Sequence, residues 1–294
     1  YCTSLDSIQI PKNVKEISEG AFARCSNLHR ITLPDSLVSL GNEVFEYCTS
    51  LDSIYIPKNV KDIGEWSFAF CTKLSHVFFP DSLTSIGEYA FDYCTSLDSI
   101  QIPKNVKEIS AGAFGRCTNL HYIALPDSLT SIGCVSFQGC SSLSSIIIPN
   151  KVSRIGIAAF SGCSNLNNIT LPDPLDSIYS WTFGGCTSLQ KIYMSKGVSF
   201  IAYTAFNQSG LNTIISSSLI PPSSYSSNFS FIGITPSNIY LYVPYAAIAA
   251  YKAHYLWKDF KIRALETVDL SYYDTQGNYL DSTSAILYLP YDDE

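Results

Sequence analysis

Residues 48–71 read CTSLDSIYIPKNVKDIGEWSFAFC, and the stretch returns along the chain in altered copies. Cys2, Cys25, Cys48, Cys71, Cys94, Cys117, Cys140, Cys163 and Cys186 recur at a strict interval of 23 residues. With each cysteine as position 0, apolar side chains fall at +3, +6, +8, +12, +15 and +20, proline at +9, and a small residue usually at +19. Self-similarity at a fixed period of roughly 20–29 residues marks a solenoid in which each copy is one coil. A coil cannot stand alone. Six or seven buried side chains contribute about 1.5–3 kcal/mol each, whereas ordering the backbone costs about 1–2 kcal/mol for every residue. Only stacking, which adds inter-coil hydrogen bonds and buries the coil faces, shifts that balance.

The positions within a coil predict its local structure. In the first coil, the period of two at Ile8 and Ile10 predicts a strand from Ser7 to Ile10 with both isoleucines inward. Pro11, unable to donate to a ladder, ends it. A second extended piece carries Val14 and Ile17. The Gly or Ser that commonly stands at +16 permits a turn into a short helical piece bearing Ala21 and Phe22.

The pattern C-x-x-L-x-x-I-x-I-P-x-x-V-x-x-I-G-x-x-A-F resembles the BspA-like leucine-rich repeats of bacterial surface antigens over nine coils, from Cys2 to about Gln208. The resemblance implies a β-rich α/β solenoid of the right-handed leucine-rich-repeat kind, with a parallel sheet on one face and short helical or 3-10 pieces on the other. It implies an extracellular or surface-attached host protein that contacts other proteins or cells, and it carries no catalytic residues, metal or cofactor.

Three units are expected. Residues 1–215 form the repeat array, nine coils and a degenerate tenth. Residues 216–265 form a strand-helix-strand cap in which Trp257 and Phe260 are core. Residues 266–294 form an acidic β-hairpin tail around Gln276-Gly277-Asn278 or the start of another module. Because Tyr1-Cys2-Thr3-Ser4-Leu5-Asp6 copies Tyr93-Cys94-Thr95-Ser96-Leu97-Asp98, a cap and a secretion leader are expected upstream.

Ten cysteines suggest disulfides in a secreted protein, but one per coil argues for a column of unpaired, buried thiols. In-register side chains about 4.8 Å apart point in parallel and do not converge on a disulfide. A single column cannot place four ligands tetrahedrally around a metal. Cys134, off the period, is expected on the solvent side.

The net charge of −7 resides in the tail. Residues 266–294 hold seven acidic residues and no Lys or Arg; removing them from 25 leaves 18 acidic against 18 basic. That neutral body lacks the basic footprint nucleic acid requires, and no apolar run is long enough for membrane insertion. At +10 the alternation Lys12, Asp35, Lys58, Asp81, Lys104, Asp127 predicts a ladder of opposite charges that keeps coils in register.

Positions +5 and +7 face outward on the strands. Among them Tyr55, His76, Phe78 and Tyr122 are expected close together on adjacent coils, and Arg30 and Tyr193 occupy outward positions on other strands. Exposed aromatics on a rigid sheet are what protein interfaces favour. These six are the candidate ligand-binding residues, the expected partner being a host or cell-surface protein or a glycan, and the chain a monomer. The competing reading is a stiff spacer that displays another domain. At +4, Asp6, His29, Asp52, Ser75, Asp98 and His121 set carboxylates beside imidazoles, the raw material of acid-base chemistry or zinc binding. No nucleophile or enclosed pocket accompanies them, so an enzyme or metal protein ranks a distant third. Asn168-Ile169-Thr170, Asn207-Gln208-Ser209 and Asn228-Phe229-Ser230 match glycosylation acceptors for a eukaryotic secretory route.

Overall fold

A computed structural model describes residues 2–225, 230–268 and 287–290. The chain winds as a parallel β-solenoid of leucine-rich repeats. Each of the first six coils places a three-residue strand at +5 to +7, such as Ser7–Gln9 and Ser53–Tyr55, and most coils add a two-residue strand at +14 and +15, such as Glu16–Ile17 and Asp62–Ile63. Coils stack in register, with Ile54 opposite Val77 and Ile63 opposite Ile86. Between the two strands the +9 proline closes a turn: Val60 N–H donates to the Pro57 carbonyl at 3.0 Å, and Leu37 and Val106 do the same to Pro34 and Pro103. Val14 belongs to such a turn, leaving Ile17 alone in its strand.

The core is a set of columns. The +20 phenylalanines form one stack from Phe22 through Phe45, Phe68, Phe91, Phe114, Phe137, Phe160, Phe183 and Phe206 to Phe231, with ring centroids between 5.1 and 5.9 Å apart. Phe231 then meets Trp257 and Phe260 edge-on, which ends the stack. Beside it runs the cysteine column. All ten cysteines are free; Cys25 to Cys186 at the 23-residue period are buried, whereas Cys2 is exposed and Cys134 half-exposed. From Cys48 onward each thiol donates to the carbonyl of the phenylalanine 26 residues back, as Cys94 Sγ does to Phe68 O at 3.1 Å. The column is therefore both packing and a rung of weak inter-coil hydrogen bonds, and burial pushes the thiols up, Cys48, Cys140 and Cys186 to about 12.

Three local expectations are corrected. The +16 to +22 segment contains no helical piece in any described coil; it is a run of turns. In the third coil the amides of Trp66, Phe68 and Phe70 donate to Glu88, Ala90 and Asp92 of the next coil at 2.8–2.9 Å, while those of Ala69 and Cys71 close turns within the segment. A helix would consume every such amide internally. Here alternate amides cross between coils, and Trp66 and Phe70 take left-handed backbone angles (φ 56° and 60°) to aim them. The +16 glycine is likewise needed for close approach, not for turn geometry. A Cβ on Gly87 would lie 2.6 Å from the backbone of Glu65, and one on Gly64 would lie 2.4 Å from the Gly41 carbonyl oxygen.

The charge ladder forms only in part. Lys58 reaches Asp35 at 3.9 Å and Lys196 reaches Asp173 at 3.7 Å, all four side chains exposed, but no such pair joins Lys12, Asp81, Lys104 or Asp127. Position +11 holds the register instead. Asn59 and Asn105 Nδ2 donate to the Asp35 and Asp81 carbonyls at 2.7 and 2.8 Å, and Ser82 and Ser128 Oγ donate to the Lys58 and Lys104 carbonyls at 2.7 and 2.6 Å. Short side chains that reach a fixed backbone acceptor lose less entropy than two long ones that must meet in water.

The three-residue strands pair two by two: Ser7–Gln9 with Arg30–Thr32, Ser53–Tyr55 with His76–Phe78, Ser99–Gln101 with Tyr122–Ala124. CTSLDSI(Q/Y)IPKNVK recurs at Cys2, Cys48 and Cys94, which marks a duplicated unit of 46 residues, two coils long; each of these ladders lies inside one such unit and stops at its edge, so the strand face is segmented. A six-stranded sheet follows, ordered Asn168–Thr170, Lys191–Met194, Thr213–Ser216, Tyr240–Pro244, Lys261–Val268 and Leu287–Pro290, parallel except for the last pairing. A 3-10 turn at Tyr245–Ala247 and helix Ile248–Ala253 cover the last coil. Trp257 is fully buried and donates from Nε1 to the Pro222 carbonyl at 2.8 Å. Tyr251 is equally buried and bonds Ser216 Oγ at 2.9 Å. The expected Gln276-Gly277-Asn278 turn lies outside the described residues.

Candidate binding surface

Tyr55 and Phe78 sit opposite each other on paired strands, with Ile54 and Val77 beside them turned inward. Their side chains are 70% and 53% exposed, and their ring centroids lie 6.2 Å apart. His76 shares the Phe78 strand, its ring 6.5 Å from that of Phe78. Ser75 Oγ donates to the Asp52 carbonyl at 3.1 Å, which leaves it to accept from His76 Nδ1 at 2.8 Å and sets the ring orientation. These three side chains make one exposed apolar patch with a polar corner.

The other candidates stand apart from it. Tyr122, 61% exposed, is two coils beyond His76, with Ser99 and Gln101 between them. It does not join the cluster as the outward positions suggested, because the coil of Ser99 and Gln101 lies between; the strand ladder also breaks between the coil of Phe78 and the coil of Gln101. Arg30 lies across the preceding break. Tyr193 is three coils past Tyr122 in the six-stranded sheet, half-buried beneath Lys191, whose Nζ is 5.9 Å from its ring centroid.

The +4 column makes isolated pairs. His29 Nδ1 lies 2.8 Å from Asp6 Oδ1 and His121 Nδ1 3.0 Å from Asp98 Oδ1. Asp52 accepts from Ser53 Oγ at 2.8 Å and does not flank His29. The imidazole between two carboxylates is therefore not assembled, and among the described residues no group of three His, Cys, Asp or Glu side chains is placed to hold a metal ion. Of the glycosylation acceptors, Asn168 is exposed on a strand, Asn207 is buried and thus inaccessible in the folded chain, and Asn228 lies outside the described residues.

The positions +18 and +22 carry an aromatic surface not singled out from the sequence. Arg24 lies over Tyr47 at 4.8 Å, Tyr47 stacks on Phe70 at 4.3 Å, Phe70 on Tyr93 at 4.8 Å, and Arg116 closes the far end 4.9 Å from Tyr93. Trp66 and Tyr89 stack beside this column at 4.4 Å, and a Cβ on Gly112 would lie 2.2 Å from the Tyr89 ring. Arg116 Nη1 also reaches the buried Asp92 at 3.3 Å; burial still pushes that carboxyl up, against the pull of the guanidinium. With both faces of each central ring covered, the column clamps coils together and offers only ring edges to a ligand. A recurrence of Tyr or Phe every 23 residues at +22 was the available signal.

The BspA type leucine rich repeat region family matches residues 1–121 and 107–230, with 6 copies. The chain belongs to this family. A leucine-rich repeat protein from Bacteroides ovatus is 27% identical, with 90% of this chain and 85% of that one covered and a TM-score of 0.55. A leucine rich cell surface protein from Faecalibacterium prausnitzii is 24% identical over 95% and 91% of the two chains (TM-score 0.57), and the pneumococcal vaccine antigen PcpA is 20% identical over 90% and 80% (TM-score 0.50). These last two are alike in fold. No curated protein matches the chain.

Proposed function

We propose that this BspA-type repeat protein is a non-enzymatic binding module, displayed at a cell surface, that holds a protein partner on its strand face. The observation that supports it most is the pair Tyr55 and Phe78: two large aromatics, mostly exposed, on strands whose backbone is fixed by inter-coil bonds. Rigid aromatic side chains lose little entropy on association and are enriched at the energetic centres of interfaces. His76 and, more remotely, Tyr122 and Arg30 supply polar contacts around them. Family membership supports a role in recognition, since such repeats generally lack catalysis.

The test is capture of a surface-extract protein by the immobilised chain, compared with Tyr55→Ala/Phe78→Ala. The double variant should lose that partner at least tenfold while its melting temperature stays within about 2 °C of the parent, because both rings are already in solvent. Undiminished capture removes this patch as the site. Retention of no specific partner by the parent chain favours the spacer reading.

A further inference from the structure

The far end of the strand face differs in chemistry from the Tyr55 patch. In the six-stranded sheet the outward positions bring together Lys191, Tyr193, Tyr240, Tyr242, Lys261 and Arg263. The register sets Lys191 opposite Thr213, Thr213 opposite Tyr240 and Tyr240 opposite Lys261, with Tyr193, Ile215, Tyr242 and Arg263 in line one step along. At the usual spacing of about 4.8 Å between strands, the two lysines end a row about 14 Å long. The ammonium groups are ordered by the rings beside them: Lys261 Nζ lies 4.9 Å from the Tyr240 centroid, and Lys191 Nζ 5.9 Å from that of Tyr193.

Charge is unbalanced here. Over the ladder from Lys191 to Leu265 these strands carry three cations and no carboxylate. Elsewhere in the array the basic side chains are interleaved with acidic ones, as at Lys58–Asp35 and Arg116–Asp92. Among the described side chains Lys261 and Arg263 are exposed without an acidic partner within 4.0 Å; the carboxylate nearest in sequence to Lys261 is Asp259, exposed in the preceding turn, and to Arg263 it is Glu266, three residues on in the same strand.

We infer that this tyrosine-and-cation row is a second binding surface, for an acidic polysaccharide lying across the strands. Lysines at both ends of one line with Thr213 and Tyr240 between them, and beside it a second line in which Tyr193 and Tyr242 flank the buried Ile215 and Arg263 forms the end, suit a chain that alternates carboxylates with apolar ring faces. An acidic peptide fits less well. Strand addition, which gives an extended peptide its main-chain affinity, is closed because every strand from Lys191–Met194 to Lys261–Val268 is already paired on both sides. The proposal goes beyond the Tyr55 reading and does not depend on it.

The experiment uses the full chain with three probes: polygalacturonate, its methyl-esterified neutral form, and polyglutamate of matched length. Calorimetric titration at low and physiological salt should show binding to polygalacturonate only, weakening with salt. Lys191→Gln/Lys261→Gln/Arg263→Gln should lower that affinity at least tenfold with an unchanged melting temperature, since these side chains lie at the surface. Tyr55→Ala/Phe78→Ala should leave it untouched, which separates failure here from failure of the first proposal. Equal binding of polyglutamate, binding of the esterified form as tight as the acid, unaltered binding by the triple variant, or no binding by the parent each overturns the inference.

Discussion

Raising the pH should unfold the array by withdrawing protons from its cysteine column. In the folded chain burial pushes Cys48, Cys140 and Cys186 up to about 12, and Cys71, Cys94, Cys117 and Cys163 well above the ordinary value of 9.0. These are groups whose folded pKa is raised, so below pH 9 both states hold their protons and the contribution to stability is complete. Above pH 9 only the unfolded chain releases them, and each thiol then lowers stability by about 1.4 kcal/mol per pH unit until its folded pKa is passed. Seven such thiols make the slope about 10 kcal/mol per pH unit if the array unfolds as one body. Set against a typical domain stability of about 5–15 kcal/mol, that predicts loss of structure within one to two units above pH 9. In a chain carrying Cys2→Ala, Cys25→Ala and Cys134→Ala, which leaves only the seven thiols counted above, circular dichroism and ultraviolet thiolate absorbance, followed together against pH, should change in one step, thiolate appearing only as structure is lost. In Cys94→Ala/Cys117→Ala the pH slope of stability, from urea titrations, should shrink by about two-sevenths. Thiolate that appears near pH 9 in a chain with intact dichroism, or a slope the double variant leaves unchanged, refutes the reasoning.

Phe114→Ala removes a fully buried ring stacked at 5.5 and 5.9 Å on its neighbours, and should cost about 3–5 kcal/mol in urea denaturation, with hydrogen exchange rising first in the adjoining coils. Gly87→Ala should cost about 1–3 kcal/mol, because the new methyl meets the Glu65 backbone at 2.6 Å; Gly20→Ala, whose new Cβ meets nothing closer than 3.9 Å, should cost only the left-handed strain of about 1–2 kcal/mol. Ser82→Ala breaks bonds to the Lys58 and Val60 carbonyls and should lower stability by about 1 kcal/mol, whereas Lys58→Ala, with an exposed ion pair, should lower it by less than about 0.5 kcal/mol in the same titration.

Much of this architecture is readable from one coil. The inward set at +3, +6, +8, +12, +15 and +20 follows from the periodicity of hydrophobic residues alone, because burial acts on each side chain separately. Phe68 and Leu51 are buried as their positions require. Features that depend on two coils at once were not readable in this way. The Gly-x-x-(Ala)-Phe segment looks helical in isolation, yet its amides bond to the next coil, and nothing local to residues 64–70 shows that an acceptor waits at Glu88, Ala90 and Asp92. The charges at +10 drew attention by alternating in sign, whereas the Asn and Ser at +11 that hold the register read as ordinary turn residues. The candidate site shares this limit. Outward orientation of Tyr55, Phe78 and Tyr122 follows from strand alternation, and the coil of Cys94 that separates Tyr122 from Phe78 follows from the period, but the break in the ladder between those coils does not.

The same segmentation bears on what each face can bind. In the first six coils the ladders of the three-residue strands close only within 46-residue units, whereas the two-residue ladder runs on across them, as at Leu40–Ile63, so on the strand face Tyr55 and Phe78 are held directly to each other but only through the second ladder and the core to Arg30. That favours a compact contact centred on one pair of rings. From Asn168 onward the ladder is unbroken, and the outward residues of its strands keep one register up to the closing strand. A long, regularly spaced ligand can only be matched by a surface whose own spacing does not slip, and in this chain that condition is met where the lysines and tyrosines of the closing coils lie.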